Sequence, residues 1–118
     1  MIFLPIHTRT KDNQHIHWRR KANVSQVERN AACVSVRAKY GTHPPFPCRV
    51  TITRCGPRKL DICNLGSALK SIIDGCADAI GVDDRDERYV WDLRQRKQSM
   101  YGVEIVIESL TNSSDGIK

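Results

Sequence analysis

An acid, a thiol and an amide lie within one short segment of the chain, and two adjacent acids follow further along. The segment is "KLDICN", with Asp61, Cys63 and Asn64, and the later pair is Asp83 and Asp84. Carboxylate oxygens are the ligands that hard divalent ions such as Mg²⁺ prefer, so one interpretation is a metal site. The other is structural: Asn64 caps a helix, Asp61 is favoured by the helix dipole, and the later acids occupy a solvated turn.

Lys70 is a further candidate for chemistry. It lies between the two acidic groups and is followed four residues later by Asp74. That spacing predicts a surface ion pair on a helix.

The other metal-ligand residue types form no recognisable pattern. The five cysteines include no CxxC pair, which argues against a disulfide framework and a zinc ribbon. His15 and His17 would share one face of a strand, but no HExxH partner accompanies them.

Charge is distributed unequally along the chain. Residues 1–60 contain 12 Lys and Arg against Asp12 and Glu28, whereas residues 61–118 contain 7 basic against 11 acidic residues. A basic half beside a carboxylate-rich half suits a metal-dependent protein that acts on nucleic acid. Solubilising surface charge is the alternative.

Hydrophobic periodicity predicts two helices. Residues 65–80 follow the i, i+3, i+4, i+7 pattern and end at Gly81, and residues 23–40 have apolar residues spaced three or four apart. In the helix over residues 23–40 the recurring apolar positions are Val24, Val27, Ala31, Val34 and Ala38.

Alternating residues predict the strands. Residues 1–6 and 48–55 are two of them, and residues 88–96 and 101–109 are expected to form an antiparallel pair joined by "KQSMYG". The predicted fold class is α+β, a small mixed β-sheet with two main helices packed on one face. We expect a single domain over 1–110, a flexible polar tail over 111–118, no membrane segment, and a cytoplasmic location.

The run "LDICNLGSALKSIIDGCADAIGVDD" resembles the RusA-like family of Holliday junction resolvases of phages and prophages. Asp61 matches the first motif acid, Asn64 the motif amide and Lys70 the helix lysine. Asp74-Gly75 and Asp83-Asp84 match the helix continuation and the closing acids. The resemblance extends to "HIHWRRKANVSQVERNAA" and "YVWDLRQRK" and covers roughly residues 2–109.

This resemblance implies a magnesium-dependent endodeoxyribonuclease that acts as a homodimer on four-way DNA junctions in a bacterial or phage-infected cell, with no small-molecule cofactor. Asp61 and Asp84 would hold Mg²⁺, with Asp83 as a further ligand, and Lys70 would contact the phosphate. Trp18 could stack or wedge at the junction, and the alternative is a buried tryptophan that anchors the first strand. The basic residues expected to contact the DNA backbone are Arg19, Arg20, Lys21, Arg58 and Lys59.

Cys63 departs from the family motif, which has an aspartate at that position. A thiol is a poor ligand for Mg²⁺. Three outcomes remain open: a weakened nuclease in which Asp83 or Asp86 compensates, a site that favours Mn²⁺, or a catalytically defective protein that still binds DNA junctions. Beyond these, the composition also fits a small basic nucleic-acid-binding module without junction preference.

Overall fold

Four strands and two helices make up a small α+β fold with a mixed sheet, as the sequence predicts. The computed structural model describes residues 1–8, 18–41, 48–81 and 89–109, and for residues 18–23 it describes the backbone alone. The elements in chain order are β1 (Ile2–Leu4), α1 (Trp18–Tyr40), β2 (Cys48–Gly56), α2 (Ile62–Ile80), β3 (Tyr89–Lys97) and β4 (Gly102–Ser109).

The strand order of the sheet is β1-β4-β2-β3. β2 pairs with β3 in parallel and with β4 antiparallel, and β4 also pairs antiparallel with β1. The predicted antiparallel pairing of β3 with β4 is therefore wrong, because β2 lies between them. A βαβ unit, β2-α2-β3, forms one half of the sheet, and α2 is its crossover.

The connection from β3 to β4 passes across the end of β2. The amide of Gln98 donates to the carbonyl of Gly56 at 2.9 Å. A Cβ atom at Gly56 would lie only 3.0 Å from the ring of Tyr101, so the absence of a side chain leaves room for this crossing. A short connection between two alternating segments normally indicates a hairpin, which is why the sequence pattern was misleading here.

One face of the sheet packs against both helices. The alternate residues Val50, Ile52 and Ile105 are fully buried and belong to the same core cluster as Ala32 of α1 and Leu69 of α2. The opposite face displays charged side chains that pair with one another, as Arg94 does with Asp92 and Arg96 with Glu104. Because these pairs compensate one another, this face is not a strongly basic surface.

α1 packs with a different side from the one its apolar spacing predicts. The buried positions are Glu28, Ala32 and Val36, whereas Val27 and Val34 are each 67% exposed. The reason is contact with α2: a Cβ at Gly75 would lie 2.8 Å from Cβ of Ala32 and would also collide with the backbone carbonyl of Arg29. This close approach determines which side of α1 faces inward.

The helix ends also differ from prediction. α2 begins at Ile62 and its N-cap is Asp61, not Asn64. α1 begins at Trp18, five residues before the predicted start at Asn23, so the basic segment Arg19–Lys21 belongs to its first turns. Both helices end as expected at glycines with left-handed backbone, Gly41 at φ 75° and Gly81 at φ 74°. Among the described residues, no helix is long and apolar enough to cross a membrane.

Candidate functional site

The start of α2 lies at the edge of the sheet where the parallel strands β2 and β3 both end. In open sheets with βα connections, ligands bind at the carboxyl ends of parallel strands. Residues 57–61 form the connection between β2 and α2 at this edge. The loop includes Arg58, Lys59 and Asp61, all three of which are exposed.

Two side chains hold this loop in place. Arg54 is only 4% exposed and donates through Nη1 to the carbonyl of Arg58 at 2.8 Å and through Nε to the carbonyl of Thr8 at 3.1 Å. The amide of Gln95 accepts from the backbone N–H of Leu60 at 2.8 Å and donates to its carbonyl at 2.7 Å. The loop is thus fixed to both β2 and β3, and it presents two cations next to a carboxylate.

Asp61 has its two carboxylate oxygens directed at the helix start. Oδ1 accepts from the backbone N–H of Asn64 at 2.9 Å, and Oδ2 accepts from Nδ2 of the same residue at 3.1 Å. An ionised carboxylate has about four acceptor sites, so this cap leaves lone pairs for another cation or donor. Asn64 therefore orients the carboxylate of Asp61, and Asp61 is the N-cap of α2.

Cys63 lies in the first turn of α2 with its thiol exposed. The other cysteines differ: Cys48, Cys55 and Cys76 are buried, as expected for small hydrophobic side chains, and Cys33 is half-buried. Burial raises the pKa of Cys76 to about 12. Cys63 is accordingly the one thiol of the described residues that is open to reagents or ions.

A complete metal site does not form within the described part of the chain. These residues contain no group of three or more His, Cys, Asp or Glu side chains suited to an ion. Asp61 fits the chemistry of Mg²⁺, which accepts one or two carboxylates and completes its shell with water. The other predicted ligands, Asp83 and Asp84, and the compensating candidate Asp86 lie outside the described residues.

The length of α2 nevertheless limits how these ligands can combine. Asp61 and Gly81 cap opposite ends of a 19-residue helix, so about 30 Å separates them. Asp84 follows Gly81 by three residues, which span at most about 11 Å. This reach is much shorter than α2 itself, whereas each oxygen ligand of Mg²⁺ lies about 2.1 Å from the ion.

Lys70 forms the ion pair that its spacing predicts. Its Nζ lies 3.0 Å from Oδ1 of Asp74, and its side chain is exposed. Lys70 is nine residues beyond Asp61, which places it about 14 Å along the helix and half a turn around it. The structure therefore does not bring Lys70 together with Asp61.

The motif residues after Lys70 take part in helix packing. Arg29 of α1 donates to both carboxylate oxygens of Asp78, at 2.6 and 2.9 Å, and lies 4.0 Å from Asp74. The hydrogen bond from Arg29 holds the pKa of Asp78 below its usual value. Asp74, Gly75 and Asp78 of the "DGCAD" segment therefore serve the packing of α2 against α1. The sequence did not predict this role.

The remaining predicted DNA-binding residues are placed only in part. Arg19, Arg20 and Lys21 belong to the first turns of α1, and their side chains, like that of Trp18, lie outside the described residues. His15 and His17 also lie outside them.

A groove beside the loop was not predicted. It lies between the start of α2 and β3 and encloses about 530 Å³. Its apolar walls are Ile62, Leu65, Trp91 and Leu93, with Lys59, Arg94 and Gln95 also lining it. Ile62 lies in the first turn of α2, next to Asp61, and is 84% exposed.

Comparison with known protein families, with curated proteins and with solved structures finds no match to this chain.

Proposed function

We propose that this protein is a metal-dependent endodeoxyribonuclease of the RusA-like kind, which acts as a homodimer on four-way DNA junctions. The observation that supports it best is the exposed carboxylate of Asp61 beside Arg58 and Lys59 on a loop held by Arg54 and Gln95. A nuclease of this kind requires that combination, since cations must attract the DNA backbone where a carboxylate holds the ion.

The proposed roles follow from these positions. Arg58 and Lys59 contact phosphates and position the DNA, because phosphate contacts fix register without selecting sequence. Asp61 holds the ion together with Asp83 and Asp84. Mg²⁺, or Mn²⁺ in its place, supplies water activation and neutralises charge on the scissile phosphate when it is bound.

Two copies of the chain are needed for this ligand set. Because α2 separates Asp61 from Asp84, one ion can have both as ligands only if they come from different subunits. A twofold-symmetric dimer would supply two such composite sites, one for each of two symmetry-related strands of a junction. Lys70, half a turn around α2 from Asp61, would then contact a different part of the bound DNA.

The test is cleavage of a synthetic mobile four-way junction during titration with Mg²⁺ and with Mn²⁺. We expect metal-dependent cleavage, and we expect Cys63→Asp to increase it because the substitution restores a hard oxygen ligand beside Asp61. Asp61→Asn should abolish cleavage. Cleavage that persists in Asp61→Asn, or that requires no divalent ion, would contradict the proposal.

A second candidate is a junction-binding protein that no longer cuts. It is favoured by one observation, the exposed thiol of Cys63 in the turn where the family motif has an acid. Under this alternative the wild-type protein binds the junction more tightly than linear duplex at matched salt, but neither ion produces cleavage. Equal affinity for junction and duplex would leave only general phosphate attraction and would count against both candidates.

A further inference from the structure

We propose that the groove between α2 and β3 binds one unpaired nucleotide, with its base against Trp91 and Leu93 and its phosphate at Lys59. This inference rests on the proposed function to the extent that the nucleotide belongs to branched DNA. The groove itself is defined by the described residues alone.

The shape and lining of the groove suit a flat aromatic ligand. Its volume of about 530 Å³ is within the range of about 300–1,000 Å³ typical of ligand pockets. Leu65 is buried at its base, Trp91 and Leu93 of β3 are half-buried, and Ile62 stands exposed at the opening. Every nucleobase has a π-face, so an aromatic wall of this kind binds unpaired bases with little sequence preference.

The charges around the groove favour an anion. Lys59 has no carboxylate partner within the described ranges, and Arg58 is the adjacent exposed cation. The guanidinium of Arg94 is paired with Asp92 at 2.9 Å, and the amide of Gln95 is occupied by Leu60. Lys59 is thus the group that remains for a phosphate, and an uncharged apolar peptide would leave it unpaired.

The position of the groove relates it to the proposed site. Ile62 directly follows Asp61, so a base held against the groove wall would have its backbone next to the carboxylate. Unpaired bases occur where DNA strands exchange or are opened, and not in intact duplex. The groove would therefore select branched or opened DNA at the point where cleavage is proposed.

Fluorescence of Trp91 tests the inference directly. The chain has two tryptophans, so Trp18→Phe leaves Trp91 as the single emitter. Titration without divalent ions with a 5′-phosphorylated oligothymidylate of four nucleotides should give saturable quenching. A fully paired hairpin duplex at the same salt should quench much less.

A matched pair of variants controls for folding and general charge. Ile62→Asp places a carboxylate at the groove opening and should weaken oligothymidylate binding at least tenfold. Val27→Asp makes the same change at an exposed aliphatic residue of α1, away from the groove, and should leave binding unchanged. Lys59→Gln should weaken binding and reduce its dependence on salt.

Two results would overturn the inference: equal quenching by duplex and oligothymidylate, or equal binding by the Ile62→Asp variant and by the protein without that substitution. Because the assay uses single-stranded DNA without metal, its outcome is independent of whether the protein cleaves junctions.

Discussion

Asp61 combines two roles that the sequence presents as alternatives. Its carboxylate caps α2 through the backbone and side chain of Asn64, and it stays exposed beside Arg58 and Lys59. The two roles have different chemical requirements, since capping needs only a side-chain acceptor and metal binding needs a negative charge. Substitutions at this one residue can therefore separate them.

We expect Asp61→Asn to leave the free energy of unfolding nearly unchanged, because asparagine is as good an N-cap as aspartate. Asp61→Ala removes the cap and should cost about 1 kcal/mol. Urea denaturation followed by circular dichroism measures both. Metal-dependent cleavage should be lost in both variants. If cleavage fell only in Asp61→Ala, the less stable variant, Asp61 would act only as a cap.

At the scale of elements, the interface between α1 and α2 explains more of the motif than metal chemistry does. Arg29 connects Asp74 and Asp78, Ser71 donates to buried Glu28 at 3.1 Å, and Gly75 allows the two backbones to approach. The acids of "DGCAD" thus position α2, and α2 in turn positions Asp61 at its start.

Gly75→Ala should destabilise the protein by about 1–3 kcal/mol, because the added methyl would collide with the Arg29 carbonyl and Ala32. Gly66→Ala is the matched control in the same helix. A Cβ there meets nothing within 4 Å, so this change should stabilise by up to about 1 kcal/mol through helix propensity. The urea midpoints of the two variants, measured beside that of the wild type, test this. If both variants shifted the midpoint equally and in the same direction, the prediction would be wrong.

The Arg29–Asp78 ion pair predicts a pH dependence. Because the hydrogen bond from Arg29 lowers the pKa of Asp78 below 3.8, the pair stabilises the folded state above that pH and loses this effect as pH falls through the folded-state pKa. Asp78→Asn should therefore be less stable than wild type by about 1 kcal/mol or less at neutral pH, since the pair is partly exposed. The difference should close below pH 3.8, and a constant difference across that range would argue against the pair.

The sequence predicts an element correctly where the signal for it lies within that element. The strict apolar spacing and terminal glycine of α2 located it correctly, since both are local signals. The inward side of α1 depended on Gly75, a residue far away in the chain, and the pairing of β3 depended on β2, whose alternation is compatible with either neighbour. The groove was missed because its walls come from two elements whose proximity only the βαβ crossover establishes.

At the scale of the molecule, α2 acts as a spacer, because its two caps lie about 30 Å apart and three further residues of chain span at most about 11 Å. The proposed ion site therefore requires that Asp61 of one subunit meet Asp84 of a second. A monomeric nuclease would be incompatible with this ligand set.

Mixing two inactive variants tests that requirement. Asp61→Asn and Asp84→Asn should each abolish cleavage, but refolding them together forms mixed dimers in which one composite site has both aspartates intact. We expect about a quarter of the wild-type site concentration and mainly single-strand nicking of junctions, because only one of the two symmetric sites is repaired. If both ligands belonged to one chain, every mixed dimer would stay inactive.

Among the described strands β1 pairs only with β4, although the two are the first and the last in chain order, and this pairing has a consequence for synthesis. β1 must wait for β4 to be synthesised, and β2 obtains both of its described neighbours only from residues beyond 88. A nascent chain should therefore expose the apolar face of β2 until the residues beyond 88 have been synthesised. Truncation before Gly102 would leave β1 without a partner strand.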